Sequence, residues 1–163
     1  MTVVVADTGP PHYLVLIGAV LVLPQLFGKV FVPELVRNEL QHTRTPRAVR
    51  DWLATEPPWL KAMATPEIAS LPLPKLGDGE RTAIALARSL RADLILMDDH
   101  AATAIALQEG FAVTGTLGVL VRAAERDLID LGDAFARLKA TNFRYRPEIL
   151  DALLAAQHRR RNA

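Results

Sequence analysis

The residues of this chain best placed to do chemistry are acids that close apolar stretches. Asp7 follows Val-Val-Val-Ala and precedes Thr-Gly-Pro; Glu39 stands in Val-Pro-Glu-Leu-Val-Arg-Asn-Glu-Leu. Glu80 stands in Gly-Asp-Gly-Glu-Arg-Thr-Ala, and Asp98 and Asp99 end Leu-Ile-Leu-Met-Asp-Asp-His. Each alone has an ordinary explanation. Asp7 can cap a turn, Glu80 suits the positive end of a helix, and Glu39 borders the apolar helix face of Leu35 and Val36. Together they say more, because acids just past strands or early in helices can converge on the carboxyl edge of a parallel sheet, where open α/β folds bind ligands. A buried cluster of negative charge is costly without a cation. All-carboxylate donors suit Mg²⁺ or Mn²⁺ rather than zinc, and such sites activate water and polarise phosphates. Asp98 and Asp99, as neighbours at a strand end, face opposite sides. One of them points to the site or the core, and alternation does not say which.

The elements that must position these acids are legible in the pattern. Val3 to Ala6 and Lys29 to Val32 read as short strands, Leu60 to Ala64 as a third, Asp93 to Met97 as the clearest, and Phe111 to Thr114 as another. Helices are expected over His12 to Phe27, broken near Gly18-Ala19 and again near Pro24, and from Pro33 with Leu35, Val36 and Leu40 on one face. Another covers residues 46–55, with Val49, Trp52 and Leu53 inward. Asp78 reads as the N-cap of a long helix after a proline-rich loop over Thr65 to Leu76. A further helix follows Asp98-Asp99 as far as Glu109, Gly115-Thr116-Leu117-Gly118 starts the next, and two more fill residues 130–158. Strands alternating with helices predict a three-layer α/β/α fold with a short, mainly parallel central sheet.

The bulk properties narrow the class. At 163 residues with 50% apolar and 23% charged residues, the chain is expected to form one globular domain. The absence of cysteine excludes disulfides, thiolate metal sites and a cysteine nucleophile. The apolar run Leu14 to Leu23 is half the length of about 20 residues that a membrane span needs, so a core helix in a cytoplasmic, membrane-free protein is expected. Residues 137–163 carry a net charge of +5 against −4 for the remainder, which suits a polyanion held beside an acidic site, or else a solvated, frayed terminus. No Gly-rich loop with its lysine suggests triphosphate hydrolysis. Val-Ala-Asp-Thr-Gly matches half of a pepsin-type dyad, but no second copy exists and the pattern is helix-rich.

The ordered motifs around Asp7, around Phe27 to Leu40, around Gly77 to Ala87, around Ala92 to Asp99 and in Val-Thr-Gly-Thr-Leu-Gly-Val-Leu resemble a PIN domain across about residues 2–155. More closely they resemble the prokaryotic PIN-like branch related to VapC toxins. Length and charge predict a single domain over residues 1–158, with 159–163 a basic tail, and the resemblance implies Mg²⁺- or Mn²⁺-dependent endoribonuclease chemistry. It places Asp7, Glu39, Glu80 and one of Asp98 or Asp99 in the acidic cluster. It also implies a homodimer and a small antitoxin partner for a toxin. Around that cluster, Thr8, Thr116 and His100 are candidates for contact with phosphate or metal-bound water. Arg44, Arg47 and Arg50 recur at helical spacing and, with the tail, are candidates for RNA phosphates; their ordinary role is a solvated helix face. Two departures stand out: Thr-Gly-Pro-Pro-His follows Asp7 where relatives tend to have Ser-Pro, and His100-Ala101-Ala102-Thr103-Ala104 lacks an arginine often found after the acid pair. They leave open a catalytically weak RNA-binding or antitoxin-partner module on the same fold.

Overall fold

A computed structural model describes residues 2–65 and 76–163. The strands are β1 (Val4–Ala6), β2 (Val30–Pro33), β3 (Leu60–Met63), β4 (Leu94–Leu96) and β5 (Ala112–Thr114). Between them run α1 (Gly9–Leu16), α2 (Val22–Phe27), α3 (Glu34–Gln41), α4 (Arg47–Ala54), α5 (Asp78–Leu90) and α6 (His100–Gln108). After β5 come α7 (Thr116–Glu125), α8 (Leu131–Lys139) and α9 (Pro147–Arg161). The five strands pair in the order β3-β2-β1-β4-β5, every pairing parallel. β1 is therefore central, flanked by β2 and β4, and all carboxyl ends lie on one side.

Alternation along the strands sorts the core into two layers, as a period of two requires. Val4, Ala6, Val30, Val32, Leu94 and Leu96 pack with α1, α2, α7 and α8 on one face. Val5, Ile95 and Met97 pack with Ala83, Ile84, Leu86 and Ala87 of α5 and with Ala102 and Ala106 of α6 on the other. The result is the three-layer α/β/α arrangement expected. β1 and β4 are buried on both faces, which is why they read as unbroken apolar runs. Val36, Leu40, Val49 and Leu53 are buried as their spacing predicts.

Three local expectations fail for physical reasons. The run from His12 breaks at Gly18, whose φ of +74° suits glycine, but it does not break at Pro24. Pro24 lies in the first turn of α2, where peptide N–H groups have no helical partner and a missing one costs nothing. Asp78 is not the N-cap of α5. Gly77 holds that position in an extended conformation, and Asp78 is the first helical residue, paired with Arg81. The expected tail continues α9 as far as Arg161, tied down by the Arg160–Glu125 ion pair and by Arg161 with Asp127 at 3.6 Å. Residues 66–75 of the expected proline-rich loop lie outside the described residues. Among the described residues, no helix is long and apolar enough to cross a membrane.

Candidate active site

β1 ends by delivering Asp7 to the carboxyl edge of the sheet. Its backbone N–H donates to the Leu96 carbonyl at 2.9 Å, which fixes the ends of β1 and β4 side by side. β2 feeds directly into α3, and one further turn of helix brings Glu39 back over the same edge. The amino end of α5 arrives from the other face with Gly79 buried between them. A Cβ built on Gly79 would lie 2.9 Å from Glu39 Oε2 and 3.1 Å from Asp7 Oδ1, so only glycine lets the helix approach this closely. Glu80 follows on the first turn. The acids Asp7, Glu39, Glu80, Asp98 and Asp99 all line one cleft of about 1170 Å³.

The two adjacent aspartates have different jobs. Asp98 turns to the cleft, where it accepts the Thr116 N–H and the Thr116 hydroxyl, both at 2.7 Å. It sits so close to Gly9 and Gly115 that a Cβ at either would lie 2.8 Å from one of its oxygens. Asp99 is the N-cap of α6 and accepts from the Ala102 N–H at 2.9 Å. It lines the rim of the cleft, and its carboxylate is already committed to the helix.

The electrostatics agree with this division. Burial pushes the Asp7 carboxyl up to about 7, opposed by the Thr8 N–H and reinforced by the charges of Glu80, Glu39 and Asp98. Asp99 is absent from that set. Burial also raises Asp98, against the lowering effect of its two bonds from Thr116. Among the described residues no lysine, arginine or histidine pairs with Asp7, Glu39, Glu80 or Asp98. Hard oxygen donors facing one another without a cation fit a divalent metal that keeps several waters. They do not form a closed cage: among the described residues no three His, Asp or Glu side chains assemble as a ready-made ligand shell.

The remaining sequence candidates scatter. Thr8 donates its hydroxyl to Glu39 Oε2 and lines the cleft, and Thr116 braces Asp98 from behind. His100 opens α6, exposed at the rim. Arg44 lines a neighbouring cleft of about 750 Å³ that shares Thr8, His12, Glu39 and Asn142 with the first. Arg47 and Arg50 line neither cleft; Arg47 pairs with Asp51 at 3.5 Å and Arg50 donates to the Thr45 carbonyl at 3.0 Å. Sequence reasoning counted Arg144 and Arg146 only within the basic stretch 137–163 suited to a polyanion, and it missed Asn142, Phe143 and Tyr145, which with them make the far wall between α8 and α9. Its basic and aromatic composition was the available signal, but these arginines read as part of a charged terminus.

The chain matches the model of the family DUF3368, described as a PIN domain, over residues 3–158. It belongs to the PIN-domain family, whose members are generally nucleases. No curated protein matches it.

Proposed function

We propose that the protein is a metal-dependent endoribonuclease that hydrolyses RNA phosphodiester bonds in the acidic cleft. One observation carries this reading: Asp7 is a buried carboxyl facing three further carboxylates, with no cationic side chain paired to them among the described residues. Asp7, Glu39, Glu80 and Asp98 would hold Mg²⁺ or Mn²⁺, which when bound supplies a Lewis acid for the phosphate and a bound water of lowered pKa. The chain's own residues prepare that chemistry. Thr116 fixes the Asp98 carboxylate by two bonds and Thr8 holds that of Glu39, so little reorganisation is left at the moment of reaction. Asp7, held near neutral pH by burial and its acidic neighbours, gives up a proton when a cation occupies the cluster. Gly77, Asp78, Gly79 and Glu80 at the amino end of α5 line the cleft, and the positive end of that helix favours an anionic oxygen beside it.

The direct test is cleavage of RNA with Mn²⁺ or Mg²⁺ by the wild type, Asp7→Asn and Glu80→Gln. The wild type cuts and both variants lose at least about 100-fold. Metal-dependent cleavage retained in both variants would sink the assignment.

A second reading, an RNA-binding or antitoxin-partner module with little catalysis, is favoured by the open arrangement of the acids. Calorimetric titration separates the two, because no heat at millimolar Mn²⁺ favours the inert module. A toxin role, with a small antitoxin partner and a homodimer, rests on the family resemblance. Its test is a small reading frame beside this one whose product co-purifies with the chain.

A further inference from the structure

The seven residues that join α8 to α9 are held rigidly across from the acids, yet the acids do not need them. The Thr141 hydroxyl donates to the Leu138 carbonyl at 2.6 Å and accepts the Phe143 N–H at 3.1 Å, closing α8 in a tight turn. Tyr13 of α1 donates its hydroxyl to Asn142 Oδ1 at 3.0 Å and packs edge-on against Phe143, ring centres 5.0 Å apart. Pro147 at the first helical position and fully buried Leu150 fix the start of α9. Asn142 and Phe143 thus spend their side chains on Tyr13, while Arg144, Tyr145 and Arg146 are exposed and line the cleft. Among the described residues neither Arg144 nor Arg146 forms an ion pair, whereas Arg47, Arg81, Arg88, Arg137, Arg160 and Arg161 do. Asp98 and Arg144 act on the Tyr13 hydroxyl with opposite sign, so the basic wall stands within electrostatic reach of the acids. Two free guanidinium groups flanking an exposed ring make a surface for a phosphate backbone and an unpaired base.

We infer that the α8–α9 connection positions the substrate strand: Arg144 and Arg146 bind RNA backbone phosphates, and Tyr145 takes an unpaired base by stacking. These are positioning residues, not catalytic ones. The inference rests on the reading of the acidic cleft as the place of RNA cleavage. It assigns strand contacts to this connection rather than to Arg47 and Arg50, which lie outside both clefts.

The test measures binding and cutting separately. Anisotropy of a labelled single-stranded RNA in EDTA reports binding, and cleavage with Mn²⁺ reports chemistry. Arg144→Ala/Arg146→Ala weakens binding and lowers the slope of log affinity against log salt by about 1.4, two single-strand phosphate contacts. Arg144→Lys/Arg146→Lys restores the salt slope, which a purely structural loss would not allow. Tyr145→Ala weakens binding roughly ten-fold, and this loss disappears on an abasic oligonucleotide of the same length. Both sets raise KM more than they lower kcat. Circular dichroism checks folding, and Arg144→Gln/Arg146→Gln replaces the alanine pair if that pair unfolds. Wild-type affinity and salt slope in the arginine variants, with the wild type still cutting RNA, overturn the inference and leave the functional reading standing. Metal-dependent cleavage retained in both Asp7→Asn and Glu80→Gln, with weakened binding in the arginine variants, overturns the functional reading and leaves the wall. No RNA binding by the wild type at low salt overturns both.

Discussion

Asp7 links the site to the stability of the fold. Its carboxyl titrates at 3.8 in an ordinary setting and at about 7 here, so between those values the folded chain binds more protons than the unfolded one. The metal-free protein is therefore fully stable below about pH 4 with respect to this group and loses on the order of 4 kcal/mol as pH rises through 7. Asp98, also raised by burial, adds a change of the same sign. Thermal melts in EDTA should show Tm falling from pH 5 to pH 8 in the wild type and much less in Asp7→Asn. Mn²⁺ should raise Tm more at pH 8 than at pH 5. The aspartate pair gives a second prediction. Asp99→Ala costs about 1 kcal/mol of stability through the lost cap of α6 while cleavage survives, and Asp98→Ala abolishes cleavage. Thr116→Val, which leaves the acids and the backbone N–H bond to Asp98 in place but removes the hydroxyl bond, lowers metal affinity or activity about 10- to 100-fold. Asp7 and the Asp98-Asp99 pair were legible because they end apolar runs, and Glu39 and Glu80 because they lie on helices that follow a strand or a glycine turn. Which of Asp98 and Asp99 faces the cleft was not, since it depends on β4 closing at Leu96 and on Thr116, eighteen residues further along.

At the scale of elements, the closeness of α5 to β1 and α3 decides whether the acids meet. That closeness depends on a missing side chain. Gly79→Ala places a methyl against Glu39 and Asp7 carboxylate oxygens, so it should lower cleavage and calorimetric Mn²⁺ affinity together while circular dichroism stays unchanged. The glycine was quoted within the motif but read only as a helix start, because its role lies across the sheet. The strands of the central sheet were easier. β-branched runs without polar interruption specify β1 and β4 wherever they sit, since helices cover both faces. The helix starts were harder: Pro24 and Asp78 each carry a strong local signal, and in both cases the first turn of the helix accommodates it differently.

Across the whole molecule, charge is separated by the cleft rather than by the ends of the chain. The excess of basic residues after position 136 is real, but Arg160 and Arg161 are spent on Glu125 and Asp127. Arg144 and Arg146 face the acids instead. Composition registered the asymmetry and could not distribute it, because the distribution follows from where α8 and α9 turn. The strand order adds a consequence for the life of the chain. β1 sits between a neighbour from residues 30–33 and one from residues 94–96, and the brace of Asp98 comes from residue 116. A growing polypeptide emerging at about 5–20 residues per second exposes Asp7 and Glu39 long before Asp98 can close beside them. The four acids thus meet only once Thr116 has left the ribosome, so synthesis itself delays the assembly of the acidic cleft.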